Sequence, residues 1–159
     1  MDFSEITNDL FIGTTPMAED YDILRRLGVR LVINMRFARS PYPDIHPEAL
    51  KFLWLRSIDS PIFLISLQKL LEGAHTALET IHNGGKVYSH CAKGRHRSVA
   101  MGAAILIAQG LTPEAAMQLI KQNRPISDPG LFYIRNRITQ FGRLWRSLHP
   151  KDAQVSGLS

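Results

Sequence analysis

One short segment combines residue types that could carry out phosphate chemistry. Residues 90–98 read His-Cys-Ala-Lys-Gly-Arg-His-Arg-Ser, so that five residues separate Cys91 from Arg97. A cysteine thiolate is a strong nucleophile, and its negative charge is favoured by nearby N–H groups and by a cation. The planar guanidinium of an arginine can bind two oxygens of one phosphate through parallel hydrogen bonds. The spacing therefore predicts a nucleophile, Cys91, beneath a phosphate that Arg97 holds.

The sequence on either side predicts how this segment is positioned. Residues 86–90 are a short β-like run, and residues 99–108 are a run of small and apolar residues that favours a helix. A loop between a strand end and a helix start directs its backbone N–H groups inward and binds anions. Because the N–H groups would face the phosphate, the loop side chains would point to the rim. We therefore expect the phosphate to be bound by the loop residues Ala92, Lys93, Gly94, Arg95, His96 and Arg97.

With these flanking elements, the segment resembles the signature of the cysteine-dependent protein tyrosine phosphatase superfamily, and the chain is similar to its small dual-specificity phosphatases. The resemblance runs from about Ile6 to about Trp145. It implies a phosphomonoester hydrolase with a phosphocysteine intermediate, acting on phosphotyrosine and on phosphoserine or phosphothreonine in proteins. It also implies that Ser98 donates a hydrogen bond to the Cys91 sulfur and makes it a better leaving group. His90 would organise the loop from outside the cradle rather than act as a base.

A phosphatase also needs a proton donor, because expelling an alkoxide or a phenoxide is otherwise slow. We predict that Asp59 is this general acid, since it closely follows the strand-like residues 51–56. In a parallel sheet that position lies at the carboxyl edge of the strands, the edge where Cys91 also lies and where sites gather. Two alternatives stay open. Asp128 is more simply a helix cap, and Asp44 lies in a proline-rich loop that could fold over the site.

Short strand-like runs alternate with helix signals, which is typical of an α/β fold. The strand-like runs are residues 9–13, 30–35, 51–56 and 86–90. A capping residue followed by proline predicts helix starts at Thr15-Pro16, Ser60-Pro61, Thr112-Pro113 and Asp128-Pro129. We expect a central, mostly parallel sheet of four or five strands flanked by helices. Residues 1–150 would form one catalytic domain and residues 151–159 a flexible polar tail.

The composition bears on the charge of the substrate and on the need for disulfides, metals or other cofactors. The chain has 159 residues, 45% of them hydrophobic, and a formal net charge of +5, which suits an anionic substrate. Cys91 is the single cysteine, which excludes an intramolecular disulfide and a multi-cysteine zinc site. The proposed chemistry needs no metal and no other cofactor.

The N-terminus lacks an apolar run, and no stretch is long enough to span a bilayer. We therefore expect a cytoplasmic monomer without a nucleic-acid partner.

Basic side chains at the rim of the loop bear on the substrate. Lys93, Arg95 and His96 could favour a substrate that carries charge beyond one phosphate, although rim decoration explains them equally well. The alternative to a phosphoprotein is therefore a phosphoinositide, phosphatidylglycerophosphate or an inositol (pyro)phosphate. A non-enzymatic phosphate-binding module is less consistent with a chain that keeps every apparent catalytic group. The basic amphipathic helix predicted over residues 131–148 could contact a membrane, but we favour an apolar face that covers the sheet.

Overall fold

The structure is a computed structural model that describes residues 1–151. Apart from Lys151, the predicted tail lies outside the described residues. The elements, in chain order, are β1 (Phe3–Thr7), β2 (Leu10–Gly13), a 3-10 turn (Ala18–Asp20), α1 (Tyr21–Arg26), β3 (Val29–Arg36), β4 (Lys51–Ser57), α2 (Leu67–His82), β5 (Lys86–His90), α3 (Arg97–Ala108), α4 (Pro113–Asn123) and α5 (Phe132–Leu148).

The strands form one five-stranded sheet in the order β1-β2-β5-β3-β4. The strands β2, β5, β3 and β4 run parallel, and β1 pairs with β2 in the antiparallel direction. The predicted α/β fold with a mostly parallel sheet is therefore confirmed. Because β5 lies between β2 and β3, its last residue, His90, pairs with Gly13 on one side and with Asn34 on the other. The segment that follows thus begins at the middle of the carboxyl edge.

Helix α3 forms the centre of the helical layer. Every residue from Ser98 to Ile107 is buried, as expected for a helix that is apolar on all sides. It contacts α2, α4 and α5 as well as the sheet. With neighbours on every side, the helix cannot shift without disturbing the core. Its first residues, Arg97 and Ser98, are consequently held in a fixed position relative to the end of β5.

The last helix, α5, packs with its apolar face inward. Ile134, Ile138, Phe141 and Trp145 are buried in the main core cluster. The apolar face of this basic helix packs mainly against α3 and α2. The expectation that it covers the sheet directly is therefore wrong, because α3 lies on the sheet and α5 packs on α3. Within residues 1–151, no helix combines the length and the hydropathy that a membrane crossing requires.

Two of the predicted helix starts show how the cap signal behaves. Thr112 is confirmed as a cap, because its Oγ1 accepts a hydrogen bond from the Ala115 N–H at 3.1 Å. The prediction at Ser60 is wrong, because α2 starts later and is capped by Ser66, whose Oγ accepts from the Lys69 N–H at 3.4 Å. Ser60 instead forms a local turn in the loop before the helix. A capping residue before proline favours turns as well as helices, so the signal alone does not separate them.

The other two predicted starts are also wrong. Thr15 caps no helix, because α1 begins only at Tyr21; its hydroxyl lies 3.3 Å from the Cys91 carbonyl oxygen and donates to it. Asp128 is not a cap either, since Leu131 occupies that position in α5.

Strand β1 was not predicted, because its polar residues follow no clear alternation and pairing with β2 decides its conformation.

Candidate active site

The segment between β5 and α3 folds into a cradle. Gly94 has a left-handed backbone with φ of 62°, and a Cβ there would lie 2.8 Å from the Gly13 carbonyl oxygen, so only glycine fits without strain. His96 occupies the cap position of α3, yet its side chain makes no capping hydrogen bond. The first N–H groups of α3 are therefore not blocked by their own cap, and such groups favour anions.

Cys91 lies at the floor of this cradle. Its side chain is buried, with 2% exposed, and Sγ is 3.2 Å from the Ser98 hydroxyl oxygen. Burial acts to raise the pKa of the thiol, but the Ser98 hydroxyl, the N–H groups of Ser98 and Arg95 and the charge of Arg97 together lower the pKa below its ordinary value. The surroundings of the sulfur thus favour a thiolate.

Arg97 is fixed by backbone carbonyls from two strands. Its Nη1 donates to the carbonyl oxygen of Ser57 at 2.8 Å and, at 3.4 Å, to that of Met35. Its buried Nε has no hydrogen-bond partner among residues 1–151. One side of the guanidinium is therefore anchored at the carboxyl edge of the sheet, while Nε keeps a donor for a ligand. A buried donor without a partner is costly, which fits a group made to bind phosphate.

Asp59 lies beside this arginine, in the loop after β4. Its Oδ2 is 4.0 Å from Arg97 Nε and 2.9 Å from His96 Nδ1, and its Oδ1 accepts a hydrogen bond from the Tyr133 hydroxyl at 2.7 Å. Burial acts to raise the pKa of the carboxyl, but the hydrogen bonds from Tyr133 and His96 and the charges of His96 and Arg97 together lower it. The structure thus brings Asp59 to the cradle that holds Cys91.

The two alternative acids are placed differently. Asp44 Oδ2 accepts hydrogen bonds from Arg25 Nη1 at 2.7 Å and from the Leu50 N–H at 2.8 Å, so this carboxylate holds its loop against α1. Asp128 contributes its backbone N–H to the Arg95 carbonyl oxygen, at 3.0 Å. Of the three candidates, Asp59 is the one whose carboxylate lies beside Arg97.

The comparisons with known proteins agree with this geometry. No protein-family model matches the chain. Human dual specificity protein phosphatase 26 is 30% identical over 149 residues, which cover 91% of this chain and 69% of the relative. The chain belongs to the dual-specificity phosphatase family. Mouse dual specificity phosphatase 28 is also 30% identical, over 131 residues that cover 81% of this chain and 77% of the relative. The predicted cysteine-dependent phosphatase is confirmed.

Solved structures show the same fold as this dual-specificity phosphatase. A mouse putative dual specificity phosphatase complexed with zinc tungstate matches with a TM-score of 0.80 at 24% identity, covering 92% of this chain and 89% of that one. PTPMT1 in complex with PI(5)P matches with a TM-score of 0.78 at 24% identity, covering 91% and 97%. At this level of identity the two matches establish the architecture.

In this phosphatase His90 lies beneath the cradle and is 2% exposed. Burial lowers the pKa of its imidazole to about 3, so the ring is neutral near pH 7. Its ring centroid is 6.0 Å from that of Tyr88. A ring with so low a pKa is a weak base, whereas the organising role of His90 stays a prediction, since its buried Nδ1 has no hydrogen-bond partner within residues 1–151.

The rim residues of the phosphatase loop differ in their contacts. Ala92 and Lys93 are exposed, and Lys93 Nζ makes no hydrogen bond or ion pair within residues 1–151. Arg95 Nε donates to the Ile126 carbonyl oxygen at 3.0 Å, which ties the loop to the segment before α5. His96 is bonded to Asp59. Only Lys93 among the three basic rim residues therefore has a side chain without a partner in the described chain.

Sequence reasoning missed two residues of this site. Tyr133 gave no signal, because its contact with Asp59 depends on how α5 packs. Arg124 precedes a proline and so predicts only a helix end, yet it is 1% exposed, and its Nε donates to the Gly94 carbonyl oxygen at 2.8 Å. Its Nη2 pairs with Asp2 at 2.8 Å. Arg124 thus holds the Gly94 carbonyl of the cradle loop and links this loop to Asp2 in the N-terminal segment.

Replacing Arg124 with alanine is expected to lower the free energy of unfolding by about 2–4 kcal/mol, because it leaves a buried carbonyl unpaired and opens a cavity. Urea unfolding at neutral pH measures the change. Asp2→Asn is the matched control: its side chain is 64% exposed and the amide keeps an acceptor, so the loss should stay below ~1 kcal/mol. Equal losses of unfolding free energy in the two variants would contradict the role of Arg124 in holding the Gly94 carbonyl.

Proposed function

We propose that this phosphatase hydrolyses phosphomonoesters through a phosphocysteine intermediate, with Cys91 as nucleophile, Arg97 as phosphate ligand and Asp59 as general acid. The observation that carries the proposal is the convergence of these three groups from separate elements. The thiol lies at the floor of a loop of N–H groups, the guanidinium is anchored with its Nε left without a hydrogen-bond partner in residues 1–151, and the Asp59 carboxylate is 4.0 Å from that Nε.

In the first step the Cys91 thiolate attacks phosphorus. The sulfur–phosphorus bond forms while the bond from phosphorus to the leaving oxygen breaks, and its electron pair stays on that oxygen. Asp59 delivers a proton to the same oxygen, so that no free alkoxide or phenoxide is released. Arg97 and the loop N–H groups hold the remaining phosphoryl oxygens, where charge redistributes in the transition state.

In the second step water hydrolyses the phosphocysteine. Asp59, now a carboxylate, takes a proton from the water as its oxygen bonds to phosphorus. The sulfur–phosphorus bond breaks, and its electrons return to Cys91 as a thiolate that the Ser98 hydroxyl stabilises. The lowered pKa of Asp59 suits this role as base. In the first step the negative charge of the bound phosphate favours the protonated carboxyl instead.

The test of the acid assignment is Asp59→Asn. We expect kcat for phenyl phosphate to fall by about 100-fold or more, because the amide cannot deliver a proton to a poor leaving group. The loss should be smaller for p-nitrophenyl phosphate, whose leaving group needs less protonation. Asp128→Asn is the control and should change kcat by less than about threefold. A large loss of kcat in Asp128→Asn together with a minor one in Asp59→Asn would instead assign the general acid to Asp128.

For the natural substrate, a phosphorylated protein is the first candidate, because the relatives are named as dual specificity protein phosphatases. A second candidate is a phosphoinositide or another polyanionic phosphate ester. Two observations favour it: PTPMT1 has the same fold and was crystallised with PI(5)P, and Lys93 stands at the rim without a partner in the described chain. A free ammonium there could bind a second phosphate or an anionic headgroup.

Lys93→Ala separates the two candidates. If the substrate is polyanionic, kcat/KM for PI(5)P should fall about fivefold, as expected for one exposed charge pair worth ~1 kcal/mol, while phenyl phosphate is unaffected. Lys51→Ala is the control, since this exposed lysine begins β4 and lies at the opposite edge of the sheet. If Lys93→Ala lowered kcat/KM equally for PI(5)P and phenyl phosphate, or lowered neither, Lys93 would not select a polyanionic substrate. A phosphorylated protein would then be the substrate class that we propose.

A further inference from the structure

The Asp59 carboxyl is held from two sides by residues of different elements. Tyr133, in the first turn of α5, donates to Oδ1 at 2.7 Å, and His96 Nδ1, from the cradle loop, lies 2.9 Å from Oδ2. The two aromatic rings meet edge to face, with centroids 6.4 Å apart. Each carboxylate oxygen thus has its own partner, and the two together fix both the position and the rotation of the carboxyl group.

In the loop that carries Asp59, residues 58–66, only Ile65 is buried in the core, six residues from Asp59 and next to the start of α2. In the nine residues between β4 and α2, Ile62 and Phe63 are 80% and 63% exposed, although both are large and apolar. A loop whose apolar side chains face solvent gains little from burial and is fixed mainly by its specific contacts. Because a displacement of about 1 Å can cost a catalytic group up to 100-fold in rate, the contacts of Asp59 matter to its function.

His96 is oriented toward Asp59 rather than toward its own helix. It stands at the cap position of α3, where Ser, Thr, Asp and Asn are favoured because they accept helical N–H groups. The imidazole makes no such bond with the first N–H groups of α3, and its Nδ1 instead lies 2.9 Å from Asp59 Oδ2. Within residues 1–151 the His96 side chain forms one hydrogen bond, the one to Asp59.

We propose that His96 and Tyr133 are positioning residues for Asp59, and that His96 acts through this carboxyl rather than as a ligand of the substrate phosphate. The inference rests on the proposed role of Asp59 as general acid. It gives the His96 side chain a role other than the one the sequence suggested, which was a basic rim group for a substrate with charge beyond one phosphate. The two roles differ in their consequences. A phosphate ligand affects every substrate and every oxyanion inhibitor, whereas a positioning residue affects only steps that need the proton from Asp59.

The experiment compares two aryl phosphates and one inhibitor. We expect His96→Ala to lower kcat for phenyl phosphate by about tenfold or more, and for p-nitrophenyl phosphate by less than about threefold. Inhibition by vanadate, which needs no leaving-group proton, should be unchanged. Tyr133→Phe removes the hydroxyl from Oδ1 and should give the same pattern. His96→Asn keeps an N–H close to the position of Nδ1 and should restore much of the activity of His96→Ala.

Three controls keep the outcome specific. Lys93→Ala changes the same loop, and Arg143→Gln changes an exposed residue further along α5; neither side chain forms a hydrogen bond with Asp59, so neither should discriminate between the aryl phosphates. In an Asp59→Asn background, His96→Ala should cause no further loss, because the group that it positions is already inactive.

The outcomes separate this inference from the proposed function. Equal losses of both aryl phosphates in His96→Ala, together with weaker vanadate inhibition, would make His96 a phosphate ligand and overturn the inference. Additive losses in the double variant would overturn it as well. A wild-type protein without aryl phosphatase activity would instead refute the proposed function, and with it this inference. Thermal unfolding of each variant shows whether it is folded, and His96→Asn supplies the comparison if His96→Ala is not.

Discussion

Replacing Cys91 with serine is expected to abolish turnover of p-nitrophenyl phosphate, with a loss of about 10⁴-fold or more. A serine hydroxyl is a much weaker acid than a thiol and stays protonated in these surroundings. The variant therefore lacks the anionic nucleophile that forms the phosphoenzyme. The side chain differs by one atom and can keep the contact with Ser98, which now lies 3.2 Å from the sulfur. We therefore expect the fold and the binding of phosphate to survive.

Two measurements accompany the kinetics of Cys91→Ser. Thermal unfolding should change by only a few degrees, and the wild type quenched in acid during turnover should carry phosphate on residue 91 while the variant carries none. Residual activity above about 1% of the wild type in a pure preparation would contradict a cysteine nucleophile.

Arg97→Lys is expected to lower kcat/KM by about 10³-fold, although it keeps the positive charge. The ammonium of lysine is a point charge without the planar fork, so it cannot both donate to the carbonyls of Ser57 and Met35 and present a second edge to a phosphate. We also expect weaker inhibition by vanadate. Steady-state kinetics with p-nitrophenyl phosphate and a vanadate titration measure the two effects.

Arg95→Lys is the matched control for this substitution. Arg95 lies in the same loop, but its Nε donates to a backbone carbonyl, that of Ile126, rather than facing the cradle. A lysine there should change kcat/KM by less than about threefold. If Arg97→Lys were as mild as Arg95→Lys, charge alone would suffice and the fork geometry would not explain phosphate binding.

The parts of the site that follow from local sequence could be predicted, because short-range geometry determines them. Cys91 and Arg97 are separated by five residues between a strand and a helix, and that context alone predicts a cradle. The prediction of Asp59 used one long-range rule, that parallel strands end at a common edge. The structure places its carboxylate at the cradle, although the rule says nothing about its partners.

The residues that could not be predicted depend on packing between distant elements. Tyr133 follows Asp59 by 74 residues and reaches it only because α5 packs beside the cradle. Arg124 reads as the end of a helix, and nothing in its neighbours predicts that its guanidinium is buried against the Gly94 carbonyl. The role of the His96 side chain was likewise hidden, because its loop position predicts a side chain at the rim and does not predict the Asp59 carboxylate beside it.

The errors in helix starts have the same origin. Ser60 and Ser66 are both serines that can cap a helix, and Ser60 has the stronger local signal because proline follows it. Helix α2 nevertheless begins after Ser66, because burial of Leu70, Ala74 and Ala77 determines where the helical face begins. Tertiary burial thus overrides a local turn preference, and the loop left in between is the one that carries Asp59.

The most direct test of a charged sulfur at the floor of the cradle is the pH dependence of its alkylation. Cys91 is the chain's one cysteine, so iodoacetate reports on it alone. The lowered pKa predicts that the alkylation rate reaches its plateau at a lower pH than for an ordinary cysteine, and that phosphate or vanadate protects the sulfur. An alkylation rate that rises with pH toward an ordinary thiol pKa of about 8.5, and that is indifferent to either anion, would contradict the account.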